Sequence, residues 1–348
     1  EVKINKISTN HDLRNIGSGR VMEKCGLKEI RQERVLFKDK YIDISVKEIT
    51  KDIKVLNQHI GRNFAIYNGD SCEVLKGLPD NSIDYSIFSP PFVDLYTYSD
   101  SNRDLGNCRN KGEFYHHFDY IIQQLHRVLK DGRLVSVHCM DLPTSKMKDG
   151  FIGLTDFPGE IIRMFEKVGF IYHSRVTIWK DPVVAMQRTK ALGLLHKQIK
   201  KDSAMSRQGI PDYLVTMRKP GENPEPVTHT NESFPVSIWQ KYASPIWTDI
   251  NPSDTLQYKS ARDNKDEKHI CPLQLDIVER LIQRYSNKGD LVFDPFGGIG
   301  TVPYCAVKMG RKGLSTELNQ DYWKDSLSYL REAEMEIMSP TLFDMLDV

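Results

Sequence analysis

The residues best suited to chemistry stand together at Phe88-Ser89-Pro90-Pro91-Phe92. The run from Ile83 to Phe88 that leads into them predicts a buried parallel strand. Two prolines then halt the ladder, because neither donates an amide hydrogen and both fix φ. The carboxyl end of such a strand is where open α/β sheets place their ligands. There the Ser89 hydroxyl and the Pro90 carbonyl can accept hydrogen bonds from an amino group, and Phe92 can lie against a flat base. Taken alone, the tetrapeptide also suits a plain loop stopped by prolines.

A second stretch, Leu291-Val-Phe-Asp-Pro-Phe-Gly-Gly-Ile-Gly-Thr301, predicts a short strand, a glycine-rich turn and a helix over 302–309. Glycines let backbone approach a bound nucleoside closely, and Asp294 can address a polar or positively charged part of it. Gly313 to Glu317 then predicts a strand ending in a carboxylate, placed to accept ribose hydroxyls. A dinucleotide site is disfavoured, because Asp294-Pro295 precedes Gly-Gly-x-Gly rather than Gly-x-Gly-x-x-Gly and Phe296 crowds a pyrophosphate. No Walker lysine follows, which excludes a phosphate-hydrolysing loop.

Together the two stretches resemble the motifs of the amino-group DNA methyltransferases that use S-adenosylmethionine. These carry Ser/Asn/Asp-Pro-Pro-aromatic and Asp-Pro-Phe-x-Gly-x-Gly-Thr, and the resemblance spans roughly residues 60 to 330. The catalytic motif comes first, as in the permuted β arrangement. The resemblance implies an α/β fold: a doubly wound, Rossmann-like mixed sheet of the class I methyltransferase type, circularly permuted, with an inserted target-recognition region. It assigns catalysis to Ser89, Pro90, Pro91 and Phe92. It assigns S-adenosylmethionine binding, with no metal, to Asp294, Pro295, Phe296, Gly297, Gly298, Gly300, Thr301 and Glu317. Asp70 matches the acid beside the cofactor's adenine, and it suits an ordinary helix N-cap as well. His269 and Pro272 match the His-Pro start of a helix that packs on the methionine part, although Ile270 and Cys271 separate them. Serine first with phenylalanine last is more usual for cytosine N4; adenine N6 is the alternative.

The implied reaction is direct transfer to a base drawn out of duplex DNA. A covalent nucleophile is not needed, and no Pro-Cys dipeptide marks a cytosine-C5 enzyme. The insert supplies the charge for DNA. Positions 188–219 hold eight Lys or Arg against two Asp. Arg188, Lys190, Lys197, Lys200, Lys201 and Arg207 are the phosphate- and base-contact candidates. Tyr96, Tyr98 and Arg103, just after the first motif, are placed to contact an extruded nucleotide or to form an exposed lid. A catalytically silent DNA-binding module and a protein glutamine methyltransferase are the remoter readings.

Positioning these residues takes a large core, which 348 residues at 39% hydrophobic can bury. Formal net charge is only +1, so any DNA-binding surface must be local. Six cysteines without a C-x-x-C pair fit reduced thiols in a cytoplasm. No signal peptide or membrane-spanning run is evident, and a bacterial or phage-encoded enzyme acting on nucleoid DNA, paired with a restriction endonuclease, is the implied setting. Opening on Glu1 suggests a trimmed chain.

Four segments are expected: an appendage at 1–55, a catalytic half at 56–182, a recognition region at 183–267 and a cofactor-binding half at 268–348. Arg14 to Leu27 resembles the C-terminal end of a GNAT acetyltransferase domain, without the acetyl-CoA loop, which predicts a remnant or docking role. Helices are expected over 19–25, 72–78, 114–129, 161–168, 275–285 and 321–338, with strands over 35–37, 41–46, 134–138, 170–179 and 213–217. Residues 231–267 show no clear periodicity.

Overall fold

The computed structural model describes residues 2–4, 7–12, 27–37, 40–49, 53–92, 105–108, 110–144, 149–189, 192–257 and 272–338. Tyr96, Tyr98, Arg103, Lys190, His269 and the expected helix at 19–25 lie outside these residues. The strands are β1 (Val2–Ile4), β2 (Ile7–Asp12), β3 (Leu27–Phe37), β4 (Lys40–Ile49), β5 (Ile53–Val55), β6 (Asn57–Ile60), β7 (Phe64–Asn68), β8 (Ile83–Phe88) and β9 (Leu129–Met140). They continue with β10 (Leu142–Pro143), β11 (Leu154–Thr155), β12 (Ile171–Ile178), β13 (Asp212–Arg218), β14 (Ile246–Trp247), β15 (Leu291–Asp294) and β16 (Lys312–Glu317). The α-helices used below are α1 (Ser71–Gly77), α2 (Lys111–Val128), α3 (Phe157–Val168), α4 (Pro182–Thr189), α5 (His196–Lys201), α6 (Val236–Ala243), α7 (Leu275–Tyr285), α8 (Thr301–Lys308) and α9 (Gln320–Met338).

Nine strands form one sheet in the order β14-β12-β13-β9-β8-β15-β16-β7-β6. The run β9-β8-β15-β16-β7 is parallel throughout, and β13 and β6 flank it antiparallel. A doubly wound mixed sheet is therefore present. Helices cover both faces, which is why β8 is buried along its whole length, its Asp84 and Ser86 included. One face packs on Val74 and Leu75 of α1, Phe114 and Phe118 of α2, and Phe157 and Phe165 of α3. The other packs on Ile277 and Leu281 of α7 and on Val302 and Cys305 of α8. β2, β4 and β3 make a separate antiparallel sheet.

Two departures from the sequence reading have local causes. The strand expected from Leu134 begins at Leu129, and its register on β8 shifts between them, Ile83 pairing with Leu129 and Tyr85 with Leu134, with Gly132 at φ +71 inside the irregularity. Asn223 backbone lies 2.8 Å from where a Cβ of Gly132 would be, so a larger residue is excluded. The aperiodic stretch after 231 holds α6 and then β14, which joins the sheet edge parallel to β12. Trp247 of β14 is 1% exposed, and its contacts are with the core rather than with a free recognition surface. The guanidinium of Arg280 fixes this segment to α7, reaching Asp249 at 2.9 Å and Asp276 at 2.7 Å.

The opposite, amino-terminal end of the sheet is closed by buried charge. Asp84 accepts from Lys130 and, at 3.2 Å, from Arg133, while its second oxygen accepts the Leu291 N–H at 2.9 Å. Lys130 also reaches Glu225 at 2.7 Å, and Arg133 reaches Asp290 at 3.0 Å.

Candidate active site

Because β7, β16, β15, β8 and β9 run parallel, their carboxyl ends share one rim of the sheet. Sheet order therefore sets Asp70, Glu317, Asp294, Ser89 and His138 side by side along that rim, and antiparallel β13 brings Asp212 to it next. Asp294 and Ser89, 205 residues apart in sequence, end adjacent strands. Rings lock the two ends together: Phe296 lies 5.6 Å from Phe88 and 6.2 Å from Phe118 between ring centroids. Phe296 is thus a packing residue joining the two motifs.

The glycine turn is held by hydrogen bonds to the neighbouring strand. Gly297 N–H donates to Thr316 O at 2.8 Å, and the Thr316 hydroxyl donates to Pro295 O at 2.7 Å. Glu317 accepts the Gly298 N–H at 2.7 Å and the Asn319 N–H at 2.6 Å. Gly300, at φ +89, presses on Ser326, whose Oγ lies 2.3 Å from a Cβ position there. Gly298, at φ +51, has nothing within 4 Å of its Cβ position, so the turn presents bare backbone to open space. Thr301 starts α8 and is buried.

Asp294 is 3% exposed and accepts the Phe296 N–H at 2.8 Å. Burial, with the nearby Glu317 charge adding to it and the Phe296 N–H opposing, pushes its carboxyl up to about 8. Asp70 accepts the Cys72 N–H at 2.8 Å, so it is the N-cap of α1. It also stands beside Glu317, since Gly69 N–H donates to Glu317 O at 3.0 Å. Both readings of Asp70 are compatible with this place. Three carboxyl groups in a row and a turn without side chains fit a nucleoside that carries hydroxyls and positive charge.

On the other side of Asp294, Pro90 is buried and Ser89, Pro91 and Phe92 are half-buried. The Phe92 ring meets Phe157 edge-on at 6.5 Å between centroids. Ser89 Oγ lies 3.3 Å from both His138 Nδ1 and His138 O. His138 and Asp212 had no motif to mark them. The signal was a histidine near the end of one buried strand and an aspartate opening the strand that returns beside it.

Pro272 is half-buried just ahead of α7. In the insert, Arg188 belongs to α4, and Lys197, Lys200 and Lys201 are exposed on α5. Arg207 is half-buried: its backbone N–H donates to Gly193 O at 3.0 Å and its guanidinium to the neighbouring Gln208 O at 3.0 Å. Burial lowers its basicity, and it ties the insert to itself. Among the described residues there is no group of three or more His, Cys, Asp or Glu able to hold a metal, and no helix long and apolar enough to cross a membrane.

The profile of the family described as DNA methylase, covering N6 and N4 methyltransferases, matches residues 83–328. Type II methyltransferase M.BglII of Bacillus subtilis is 25% identical over 76% of this chain and 67% of its own length. DNA adenine methyltransferase YhdJ of Escherichia coli K12 is 26% identical over 76% of this chain and 82% of its own. Among solved structures, PvuII DNA methyltransferase (cytosine-N4-specific) superposes with a TM-score of 0.57 at 19% identity, covering 82% of this chain and 96% of that one. At that identity the likeness concerns the fold.

Proposed function

Since the chain belongs to the DNA methylase family of S-adenosylmethionine-dependent N6/N4 methyltransferases, we propose that it methylates the exocyclic amino group of a base flipped out of duplex DNA, with cytosine N4 as the acceptor. The observation that carries the reading is the adjacency of the two motifs: Ser89-Pro-Pro-Phe92 and Asp294-Pro-Phe-Gly-Gly end neighbouring parallel strands on one rim. Their reversed order along the chain fits the permuted arrangement. The basic insert between them fits a target-recognition region.

Bound S-adenosylmethionine supplies a methyl group activated by its sulfonium. The remaining difficulty is the amine, whose lone pair is delocalised into the base. Ser89 Oγ and the Pro90 carbonyl accept its two N–H bonds and turn the nitrogen lone pair out of the ring plane. Phe92 holds the base by stacking. Positioning and fixed dipoles do most of the work, and as the carbon–sulfur bond breaks the neutral thioether leaves and the methylated nitrogen releases its surplus proton to solvent. Glu317 would accept the ribose hydroxyls, Asp70 would hold the adenine side, and Asp294 would offer its carboxyl to the positively charged part of the cofactor.

Asp294 gives this assignment a thermodynamic signature. Between the ordinary 3.8 and about 8, the folded cofactor-free chain keeps a proton that the unfolded chain has lost. Its stability therefore falls as pH rises through that window and levels off above it. A cationic ligand favours the ionised carboxyl, so S-adenosylmethionine binding at pH 7 releases a proton and tightens as pH rises toward 8. Calorimetry in buffers of different ionisation enthalpy measures that release; binding without proton release removes Asp294 from the cofactor site.

The exposed lysines of α5 set the salt dependence. Replacing Lys197, Lys200 and Lys201 by alanine should flatten the slope of log affinity for duplex DNA against log salt by about 2–3 units. An unchanged slope would place the DNA elsewhere.

The test of the function is nucleoside mass spectrometry on DNA from cells expressing the chain, against Ser89→Ala. N4-methylcytosine absent from the control supports the proposal. The sequence likeness to an adenine methyltransferase favours N6-methyladenine as the second reading, and that product would overturn the choice of base alone. No modified nucleoside would overturn the reaction. A restriction endonuclease of the same specificity is the partner such an enzyme would protect against.

A further inference from the structure

Beside the proposed acceptor serine lies a chain of polar groups that the methyl-transfer reading leaves unused. His138, on β9, puts Nδ1 3.3 Å from Ser89 Oγ. Its Nε2 stands 3.2 Å from Asp212 Oδ2, within ion-pair reach though not aligned as a hydrogen bond. The other Asp212 oxygen meets the Lys180 ammonium. His138 is 8% exposed and Asp212 3%, so neither group is dissolved in water. Each comes from a different element: β9, the start of β13, and the segment between β12 and α4.

We propose that His138, held by Asp212, is a positioning residue that fixes the direction of the Ser89 hydroxyl hydrogen; this rests on the role given to Ser89 above. The argument is one of donors and acceptors. A carboxylate only accepts, and a neutral imidazole carries one N–H. With Asp212 ionised, that N–H belongs on Nε2 and Nδ1 is left as a bare acceptor. Burial works against an ionised Asp212, and the Lys180 ammonium at its other oxygen favours it without requiring a charge on His138. Ser89 then gives its one O–H to His138, at Nδ1 or at the backbone carbonyl that stands at the same 3.3 Å, and with no hydrogen on Nδ1 its lone pairs are free to accept an N–H from the target amine.

With the opposite tautomer, Nδ1–H would donate to Ser89 and compete with the amine for the same oxygen. A hydroxyl at this position needs such setting, because the same oxygen both donates and accepts. A carboxylate there would accept without help. The distances of 3.3 Å are long for a finished hydrogen bond, as is common in sites that tighten when substrate is bound.

The experiment measures radiolabelled methyl transfer into unmethylated bacterial genomic DNA by His138→Ala and Asp212→Asn, each alone and combined with Ser89→Ala. Binding of S-adenosylhomocysteine by calorimetry runs in parallel. Each single variant should lower kcat about 10- to 100-fold with cofactor binding unchanged. Neither should lower it further in the Ser89→Ala background, because both act through that hydroxyl. Asp212→Asn keeps the side-chain volume and decides the matter if His138→Ala fails to fold. A residue that merely supports the fold would cost activity equally with and without Ser89, or weaken cofactor binding. Either result, or unchanged kcat in Asp212→Asn, overturns the proposal. If Ser89→Ala itself is fully active, the catalytic assignment falls and this inference with it; if Ser89→Ala is impaired and the other two are not, only the inference falls.

Discussion

Ser89→Ala is expected to lower turnover by about 100-fold, a rise of about 2.7 kcal/mol in the barrier, with S-adenosylmethionine binding unchanged. The size follows from removing one fixed acceptor in a site sheltered from bulk water. The selectivity follows from the fold. Ser89 ends β8, whereas the glycine turn and Glu317 belong to β15 and β16 and are held by bonds to each other. Single-turnover transfer with saturating cofactor separates chemistry from binding. Full activity in the variant would mean that the Pro90 carbonyl alone orients the amine, and the serine would lose its role.

Asp84→Ala is expected to cost the fold about 3 kcal/mol, the lower end of what breaking a buried ion pair costs. The side chains of Asp84, Lys130 and Arg133 are 8%, 6% and 2% exposed, so the loss is not replaced by water. The lower end applies because each cation keeps a second partner, Glu225 for Lys130 and Asp290 for Arg133. The Leu291 N–H also loses its acceptor. Against a total stability of about 5–15 kcal/mol this is a large fraction, and the urea midpoint should fall with an unchanged m-value. A shift smaller than about 1 kcal/mol would mean that water or a rearranged cation replaces the carboxylate.

These two residues are five positions apart and show how differently sequence carries information. Ser89 was legible because prolines enforce a strand end whatever surrounds them, and because its partner motif is also local. The same holds for the glycine turn, whose positive φ at Gly298 and Gly300 is a property of those residues. Asp84 sits one position into a run read as apolar. Nothing in its neighbours announces that Lys130, Arg133, Glu225 and Asp290 will converge on that end of the sheet.

Helix limits were read to within a few residues where the apolar period was complete, as in α7, Leu275–Tyr285. The period failed after residue 231. There α6 and β14 are short, and their stability comes from the Arg280 bridge and the burial of Trp247 rather than from a repeating face. The tie of the Arg207 backbone to Gly193 O was equally beyond a local reading, because it joins two turns of the insert fourteen residues apart.

Local chemistry, then, was enough to name the two motifs, the chemistry they imply and the strand-turn-helix units around them, because prolines, glycines and apolar periods act over a few residues. Sheet order lay beyond it. Which strand ends share a rim depends on long-range pairing, and that pairing alone sets Asp294 beside Ser89 and draws in His138 and Asp212. A hydroxyl's direction is fixed by the acceptors around it, and those come from strands distant in the chain.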